Sequence, residues 1–330
     1  MGLSLKIKSI LLIIFFFFVL NYLITYTKKE TSQSKIASNK KNIVTNPYNY
    51  NLVLEPNRSM CAHYTQKEKL LLFILIVSSP DAHNIRHLIR TTWYKSNIAN
   101  NKYKIIFTVG LSQINHSNEI LKLENQKYND ILQADLIDSY HILTIKNMLT
   151  FRWINKHCSN TYFILKVCDD VLVNIDELVF YLKNNINYRN TIFGYIWINA
   201  YPKRDEQSKW YVSLKEFSET FYPPFPSGTA IVFSGDLSKS FYEYALGFPA
   251  PPFSIWMDDV YFGMIGAKLK TKFVDIINSY VPQDHYANYT VKKKIELIKE
   301  NFVNRTLFVF AKENEYKELW DILCAYYKIG

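Results

Sequence analysis

The sequence is poor in glycine, proline and cysteine. It has 9 glycines and 11 prolines in 330 residues, which excludes collagen-like repeats and low-complexity chains rich in these residues. Its four cysteines are too few to form the main framework of a disulfide-stapled fold. Hydrophobic residues make up 48% of the chain and aromatic residues 16%, which excludes an intrinsically disordered protein. The length suits one large domain or two of ordinary size.

Most of the excess positive charge lies near the N-terminus. The formal net charge is +10. Ten lysines and arginines against three glutamates precede Leu70, which leaves +7 there and only +3 in residues 70–330. A nucleic-acid-binding domain would carry its excess on the folded part, as a patch or stripe. We therefore expect no nucleic-acid partner and interpret the basic region as a solvated linker.

A long apolar run near the N-terminus predicts a membrane anchor. Residues 10–27 carry no charge and, with Ser9, approach the ~20 residues that cross a bilayer. Lysines flank the run on both sides, so the charges say little about orientation. A cleavable signal peptide is the alternative, but the run ends without the small residues of a cleavage site. We favour an uncleaved signal anchor, with a cytosolic tail over residues 1–9 and a polar stem over residues 28–67.

Four Asn-x-Ser/Thr sequons follow the predicted anchor. They begin at Asn57, Asn115, Asn288 and Asn304. Each alone is a weak signal because asparagine is common in this chain, but four together are compatible with a lumenal domain. We predict that this domain covers residues 68–330.

The folded region begins with an apolar run and then alternates between strand and helix patterns. Residues 70–79, LLLFILIVSS, are typical of a parallel strand buried on both faces. A helix is expected soon after Pro80 and Asp81, and Ser117 is the predicted N-cap of a later helix. The other predicted elements are strands over residues 104–110 and 162–167 and helices over residues 117–128 and 139–157. This alternation predicts an α/β domain with a mostly parallel sheet.

Two adjacent carboxylates end the third predicted strand. Asp169 and Asp170 follow Cys168 at a position where open α/β sheets bind ligands. Neighbouring carboxylates repel each other unless a cation lies between them, and Mg²⁺ or Mn²⁺ prefers oxygen ligands. The alternative is a helix cap, with Asp170 or Asn174 at the start of a helix over residues 176–182.

Five sequence blocks occur in order over about residues 70–266. They are FILIVSSPDAHNIRHLIRTTW, YNDILQADLIDSYHILTIKNMLTFRWINKHC, YFILKVCDDVLVN, YPPFPSGTAIVFS and MDDVYFG. Together they closely resemble the β-1,3-galactosyltransferase family, glycosyltransferase family 31. The resemblance implies a GT-A glycosyltransferase fold, in which a Rossmann-like mixed sheet binds the nucleotide ahead of an acceptor half.

The resemblance also implies an activity and a location. The activity is inverting, metal-dependent hexosyl transfer from UDP-galactose or UDP-N-acetylglucosamine to a hydroxyl of a glycan acceptor on protein or lipid, with a β-1,3 linkage. UDP-galactose leads because the pattern is closest to the galactosyltransferases. The location is the Golgi membrane, as a single-pass type II protein with a lumenal catalytic domain.

Particular acidic residues match the motifs of the family. Asp170 matches the last Asp of the metal motif and is the expected ligand of Mn²⁺ or Mg²⁺, with Asp169 as a neighbouring nucleotide-sugar contact. Asp259 matches the general base that takes the proton of the acceptor hydroxyl. Asp258 stands where the family usually has Glu and is expected on the nucleotide-sugar side.

Basic and acceptor-side positions match further blocks, with alternatives left open. Arg86 and Arg90 lie on one face of a predicted helix and could bind nucleotide phosphates or pin that helix to neighbouring carboxylates. Lys146 could serve in either way too. Tyr222 and Gly228 match the acceptor-side segment, where glycine would allow close approach to the substrate.

Further candidates surround these positions. Lys166 lies in an apolar strand and would be costly to bury unpaired, so Asp169 or Asp170 is its expected partner. An aromatic stretch over residues 197–222 offers rings for stacking on sugars, with core packing as the alternative.

Cys168 is the main departure from the family pattern, since it replaces the first Asp of the metal motif. A thiol is a poor ligand for Mg²⁺ or Mn²⁺, and the change removes a negative charge. If that Asp contacts only the ribose or a metal-bound water, its loss weakens donor binding. If it is essential, the protein is a catalytically inactive relative that binds glycan or nucleotide. A membrane-tethered adaptor without a sugar site is the third hypothesis, disfavoured by Asp170 and Asp259.

The remaining cysteines are candidates for lumenal disulfides. They are Cys61, Cys158 and Cys324. Four cysteines allow three complete connectivities, and the sequence does not choose among them.

Overall fold

The computed structural model describes residues 48–94, 103–247, 256–281, 288–300 and 306–327. The strands in this part of the chain are β1 (Leu52–Leu54), β2 (Leu70–Val77), β3 (Tyr103–Leu111), β4 (Ile131–Ile137), β5 (Thr161–Cys168), β6 (Val171–Val173), β7 (Thr191–Gly194), β8 (Ile196–Trp197), β9 (Phe225–Pro226), β10 (Ala230–Ser234), β11 (Lys272–Asp275), β12 (Tyr280–Val281) and β13 (Phe308–Phe310). The helices are α1 (His83–Thr91), α2 (Asn115–Tyr128), α3 (Leu143–His157), α4 (Ile175–Asn184), α5 (Leu237–Gly247), α6 (Asp258–Lys268), α7 (Val291–Glu300) and α8 (Tyr316–Tyr327).

Eight strands form the main sheet in the spatial order β1-β4-β3-β2-β5-β10-β7-β11. The block β4-β3-β2-β5 is parallel, and β10 runs antiparallel between β5 and β7. The two edge strands differ, because β1 is antiparallel to β4 whereas β11 is parallel to β7. The prediction of an α/β domain is confirmed, and the sheet is mixed around a parallel block.

The apolar run of β2 is buried on both faces of the sheet. All eight of its residues are buried, and alternate side chains enter different cores, as the period of a strand requires. Leu72, Ile74 and Ile76 pack on one face with α1, α4 and α8. Phe73 and Leu75 pack on the other face with α3, α5 and α6. The sheet therefore lies between two layers of helices.

Helices α2 and α3 do not begin at the residues that the sequence predicts. Helix α2 begins at Asn115 and its N-cap is Ile114, so the prediction of Ser117 as the cap is wrong. The Ser112 hydroxyl, which accepts a hydrogen bond from the Ile114 N–H at 3.1 Å, orders the turn ahead of the helix instead. The helix predicted over residues 139–157 begins at Leu143, after a 3-10 turn.

Residues from Tyr48 onward, which the sequence places in the stem, pack on the domain. Strand β1 pairs with β4, and the buried Tyr48 hydroxyl lies 2.8 Å from that of Tyr261. A disulfide joins Cys61 to Cys158 at the end of α3. This segment of short strand and turns has no sustained hydrophobic period, so its packing is not visible in the sequence.

The C-terminal region, which matches no family block, completes a smaller sheet. Strand β13 pairs with β12 and with β6, which directly follows Asp169 and Asp170. The Ala311 N–H donates to the Asp170 carbonyl at 2.9 Å. The end of the chain therefore supports the turn that carries the two carboxylates.

The predicted tail, the signal anchor and the stem up to residue 47 lie outside the described residues. In the part that the structure describes, none of the helices combines the length and the apolar character that a membrane span needs.

Candidate active site

A cleft of about 690 Å³ opens at the carboxyl ends of β2, β3 and β5. Open α/β sheets bind their ligands at this edge. The polar side chains that line it include Ser78, Asp138, Tyr140, Lys146, Asp169 and Asp170.

Asp169 and Asp170 occupy the turn between β5 and β6, with their side chains in the cleft. Asp169 Oδ2 accepts a hydrogen bond from the Ser78 hydroxyl at 2.7 Å. Burial and the neighbouring Asp169 raise the pKa of Asp170 to about 6. Asn174 is the residue that caps α4, since its side chain accepts from the Glu177 N–H. The Asp170 side chain is therefore not used as a cap.

The two carboxylates fit a hard divalent cation that completes its coordination with substrate. Mg²⁺ is usually held by one or two carboxylates together with substrate phosphates and waters. Within the described ranges, no group of three or more His, Cys, Asp or Glu side chains could hold a metal ion by itself. Asp169 and Asp170 supply the two carboxylates that a cation shared with substrate phosphates needs. A bound cation would also relieve the repulsion between them.

Cys168 lies beside the carboxylates as a neutral thiol. Its Sγ donates to the Gly228 carbonyl at 3.4 Å. Burial raises the pKa of this thiol to about 12, so it keeps its proton at neutral pH. Because the thiolate is the form that binds metals, Cys168 is poorly suited to be a ligand.

Lys146 lines the cleft but is already paired. Its Nζ donates to the Ser78 carbonyl at 2.9 Å and lies 3.1 Å from Asp138 Oδ2. The same Asp138 oxygen accepts from the Gly110 N–H at 2.5 Å. The sequence left phosphate binding and carboxylate pairing open for Lys146, and the structure shows it paired with a carboxylate.

Arg86 and Arg90 do not line the cleft. Their side chains hold the loop and the helix that follow β2. Arg86 is fully buried and binds both oxygens of Glu124, at 2.8 and 2.7 Å. Its other three N–H groups donate to the loop that follows β2, so all five guanidinium donors are used. Arg90 binds both oxygens of Asp130, at 2.9 and 2.7 Å, and also Glu124. These contacts match the carboxylate-pinning alternative and leave Arg86 no donor for a phosphate.

Lys166 pairs with Asp258, so the expectation that it would pair with Asp169 or Asp170 is wrong. Lys166 Nζ lies 2.8 Å from Asp258 Oδ2, and both side chains are buried. The Asn147 side-chain amide donates to the same oxygen at 2.7 Å. Asp258 is thus bound by protein groups at the start of α6, where negative charge also interacts favourably with the helix dipole.

The Asp259 carboxylate is held by the backbone at the start of α6. It accepts a hydrogen bond from the Val260 N–H at 2.7 Å. Burial, and then the neighbouring Asp258, raise the pKa of Asp259 to about 7. A carboxylate with a pKa near the working pH is suited to general base catalysis.

Gly228 packs closely against Asp259. A Cβ added there would lie 3.2 Å from Asp259 Oδ2 and 3.5 Å from its Cβ. Because Gly228 has no side chain, its backbone can approach Asp259 closely. The sequence alone predicts that this glycine approaches the substrate.

The acceptor-side aromatic residues divide into packed and exposed rings. Tyr222 is 7% exposed and packs against Phe217 and Phe225, with ring centres at 4.9 and 5.8 Å. Its hydroxyl is buried without a hydrogen-bond partner among the described residues. Tyr201 and Phe221 are 64% and 52% exposed, so these two rings are the ones open to a ligand.

Lys209 and Tyr140 are candidates that the sequence analysis missed. Tyr140 lines the cleft, and its hydroxyl accepts a hydrogen bond from the Trp210 indole. Lys209 Nζ lies 4.3 Å from the centre of the Tyr140 ring, and its charge acts on the Asp170 carboxylate. No carboxylate of the described ranges forms an ion pair with Lys209. The signal was the basic-aromatic sequence at residues 209–211, which lies outside the matched blocks.

Three of the four sequon asparagines are exposed on the domain. They are Asn57, Asn115 and Asn288. Asn304 lies outside the described residues.

The fold and the cleft define an α/β enzyme with a carboxylate-based ligand site. The family model described as Galactosyltransferase matches residues 84–277. The chain is 34% identical over 228 residues to beta-1,3-galactosyltransferase 1 from Homo sapiens, and covers 67% of that protein with 68% of its own length. It is 31% identical over 229 residues to lactosylceramide 1,3-N-acetyl-beta-D-glucosaminyltransferase from Homo sapiens, with 67% of this chain and 57% of that protein covered. The chain belongs to the galactosyltransferase family, and it is a glycosyltransferase.

Solved structures give weaker similarity. The apo structure of the bifunctional glycosyltransferase WbbM aligns with a TM-score of 0.40 at 9% identity, over 78% of this chain and 51% of that one. A glycosyltransferase involved in the glycosylation of the major capsid of PBCV-1 aligns with a TM-score of 0.38 at 11% identity, over 76% of this chain and 99% of that one.

Proposed function

We propose that the protein is an inverting, metal-dependent hexosyltransferase that moves galactose from UDP-galactose to a glycan hydroxyl and forms a β-1,3 linkage. The observation that carries this proposal is Asp259, a carboxylate with a pKa raised to about 7, which packs closely against Gly228. The carbonyl of Gly228 accepts a hydrogen bond from Cys168, the residue before the carboxylate pair of the cleft. A candidate base therefore adjoins a candidate donor site.

In this proposal the residues of the chain have separate roles. Asp170, with Asp169 beside it, would hold Mn²⁺ or Mg²⁺. When bound, such a cation supplies positive charge that stabilises the diphosphate leaving group. Asp259 takes the proton of the acceptor hydroxyl, and the Val260 N–H and the close packing of Gly228 keep the carboxylate oriented. Lys146 and Arg86 fix the loops that line the cleft, and Lys209, which forms no ion pair with the described residues, adds a positive charge beside it.

The donor and the acceptor rest on family membership. UDP-galactose is the first candidate because of the similarity to beta-1,3-galactosyltransferase 1. UDP-N-acetylglucosamine is the second, because the chain is also similar to an N-acetylglucosaminyltransferase. The acceptor is a glycan on protein or lipid. We further propose that the protein has the GT-A fold and is a type II protein of the Golgi membrane, anchored by residues 10–27 with its catalytic domain in the lumen.

A second candidate is a catalytically inactive relative that binds glycan or nucleotide. Cys168 favours it, because this position has no carboxylate to add to Asp169 and Asp170. The transferase predicts both nucleotide binding and turnover, whereas the inactive relative predicts no turnover and binds glycan or nucleotide.

The test uses the full chain purified in detergent. UDP binding is measured by calorimetry with and without Mn²⁺, and UDP release is measured from UDP-galactose and from UDP-N-acetylglucosamine. Metal-dependent binding with UDP release supports the transferase. Binding without release under any donor and acceptor condition supports an inactive relative that binds nucleotide. Absence of UDP binding under both conditions argues against the transferase and favours an inactive relative that binds glycan.

A further inference from the structure

Gly228 lies between the residue before the carboxylate pair and the candidate base. Its carbonyl accepts from Lys166 Nζ at 2.6 Å and from Cys168 Sγ at 3.4 Å. Its Cα packs closely on Asp259, because an added Cβ would lie 3.2 Å from Asp259 Oδ2. A shift of Gly228 would therefore change its packing against the Asp259 carboxylate.

The contacts of Cys168 show that its thiol acts as a donor. The Gly228 carbonyl can only accept, so the S–H group must point toward it. Lys166 Nζ, at 3.8 Å from the sulfur, already directs its charge to Asp258 at 2.8 Å. A carboxylate at position 168 would face the carbonyl as a second acceptor and would compete with Asp258 for Lys166.

We propose that Cys168 is a positioning residue, whose thiol, together with Lys166, holds the Gly228 carbonyl so that Gly228 stays packed against Asp259 and keeps its carboxylate oriented. The thiol is thus a functional replacement in this chain and not the remnant of a metal ligand. The proposal rests on the proposed transferase function, because it concerns the base of that reaction.

Three substitutions at position 168 compare a hydrogen-bond donor, the loss of that donor and a carboxylate. In Cys168→Ser the hydroxyl remains a donor, so kcat should stay within about threefold of wild type. In Cys168→Ala the donor is lost, and kcat should fall by roughly tenfold with an unchanged KM for donor, since misplacing a catalytic group by ~1 Å can cost on the order of 10²-fold. The kcat of Cys168→Asp should fall further than that of Cys168→Ala, although this substitution restores the residue of the family pattern. Cys324→Ala, which removes the other free thiol, should match wild type.

Turnover is followed as UDP released from UDP-galactose and UDP-N-acetylglucosamine by the full chain in detergent. A second readout is the affinity for Mn²⁺ in the presence of UDP, by calorimetry. This affinity should not differ between wild type and Cys168→Ala, because the thiol is not a ligand.

Several outcomes would overturn the proposal. Higher turnover or tighter Mn²⁺ binding in Cys168→Asp would identify position 168 as a degraded metal-site residue. Weaker Mn²⁺ binding in Cys168→Ala would make the thiol a ligand. Equal kcat in wild type and Cys168→Ala would remove the positioning role while leaving the transferase function intact. A wild-type protein that binds UDP but never releases it from a donor would instead reject the transferase function, and the positioning role with it.

Discussion

At the residue scale, the candidate base depends on contacts from two directions. Asp259 receives a hydrogen bond from the Val260 N–H and packs against Gly228, while burial makes it a weaker acid. Substitution of Asp259 by Asn keeps a carbonyl oxygen for the Val260 N–H but removes the basic oxygen. We expect UDP affinity in the presence of Mn²⁺ to be unchanged and transfer to fall by on the order of 10²-fold or more. Asp135→Asn, at an exposed position on β4, is the control; parallel losses of UDP binding and transfer in Asp259→Asn would reject the role of base.

The same residue predicts the pH dependence of the reaction. A base must be deprotonated to act, and the pKa of Asp259 is raised to about 7. The rate should therefore rise as the pH increases through about 7 and then level off. A pH–rate profile of kcat measures this, and a profile that stays flat down to pH 5 would exclude Asp259 as the titrating base.

Lys209 predicts a contribution to donor binding. Its ammonium lies over Tyr140, a residue of the cleft lining, and a lysine can serve as a point charge for phosphate. Lys209→Gln should raise the KM for the UDP-sugar by roughly three- to tenfold with little effect on kcat, since an exposed charge is partly screened. Lys215→Gln, at an exposed position of the same segment, is the control. The same KM in both variants would remove Lys209 from the donor site.

At the scale of elements, the segment before β2 should be part of the stable domain. The disulfide between Cys61 and Cys158 links positions 97 residues apart. Removing a native disulfide typically costs about 2–5 kcal/mol, so Cys61→Ser should lower the free energy of unfolding by an amount in this range. Denaturant unfolding without reductant measures the loss, with Cys324→Ser as the control. Equal stability of the two variants would show that the segment is dispensable.

The elements also show what the sequence can and cannot predict. β2 and β5 were predictable because long apolar runs are typical of strands in a parallel block. Tertiary pairs such as Lys166 with Asp258 and Cys61 with Cys158 were not, because their partners lie about 90 or more residues apart and local spacing does not select between candidates.

The candidate site was predicted unevenly for the same reason. Asp170 and Asp259 stand in motifs, so the sequence singles them out directly as candidates. The contacts of Arg86 depend on Glu124, which lies on a different helix, so the sequence left two alternatives. Lys209 was missed because its relation to Tyr140 exists only in the folded chain.

At the scale of the whole molecule, the sequons test the proposed topology. Asn57, Asn115 and Asn288 are exposed on the domain and would be accessible to glycosylation in the lumen. Expressed in a eukaryotic cell, the chain should lose apparent mass on treatment with an N-glycosidase, and Asn→Gln at each used site should remove one step. An unglycosylated full-length chain would argue against a lumenal domain.

The shared contact of Lys166 has a consequence for how this sequence diverged. Two of the positions that depart from the family pattern are Cys168, for Asp, and Asp258, for Glu. The Cys168 sulfur lies 3.8 Å from Lys166 Nζ, and Asp258 forms an ion pair with it at 2.8 Å. If a lineage lost the carboxylate at position 168, the carboxylate at position 258 would have to balance the charge of Lys166 alone. The two changes are therefore expected to be inherited together, so that exchanging either one alone between relatives is more harmful than exchanging the pair.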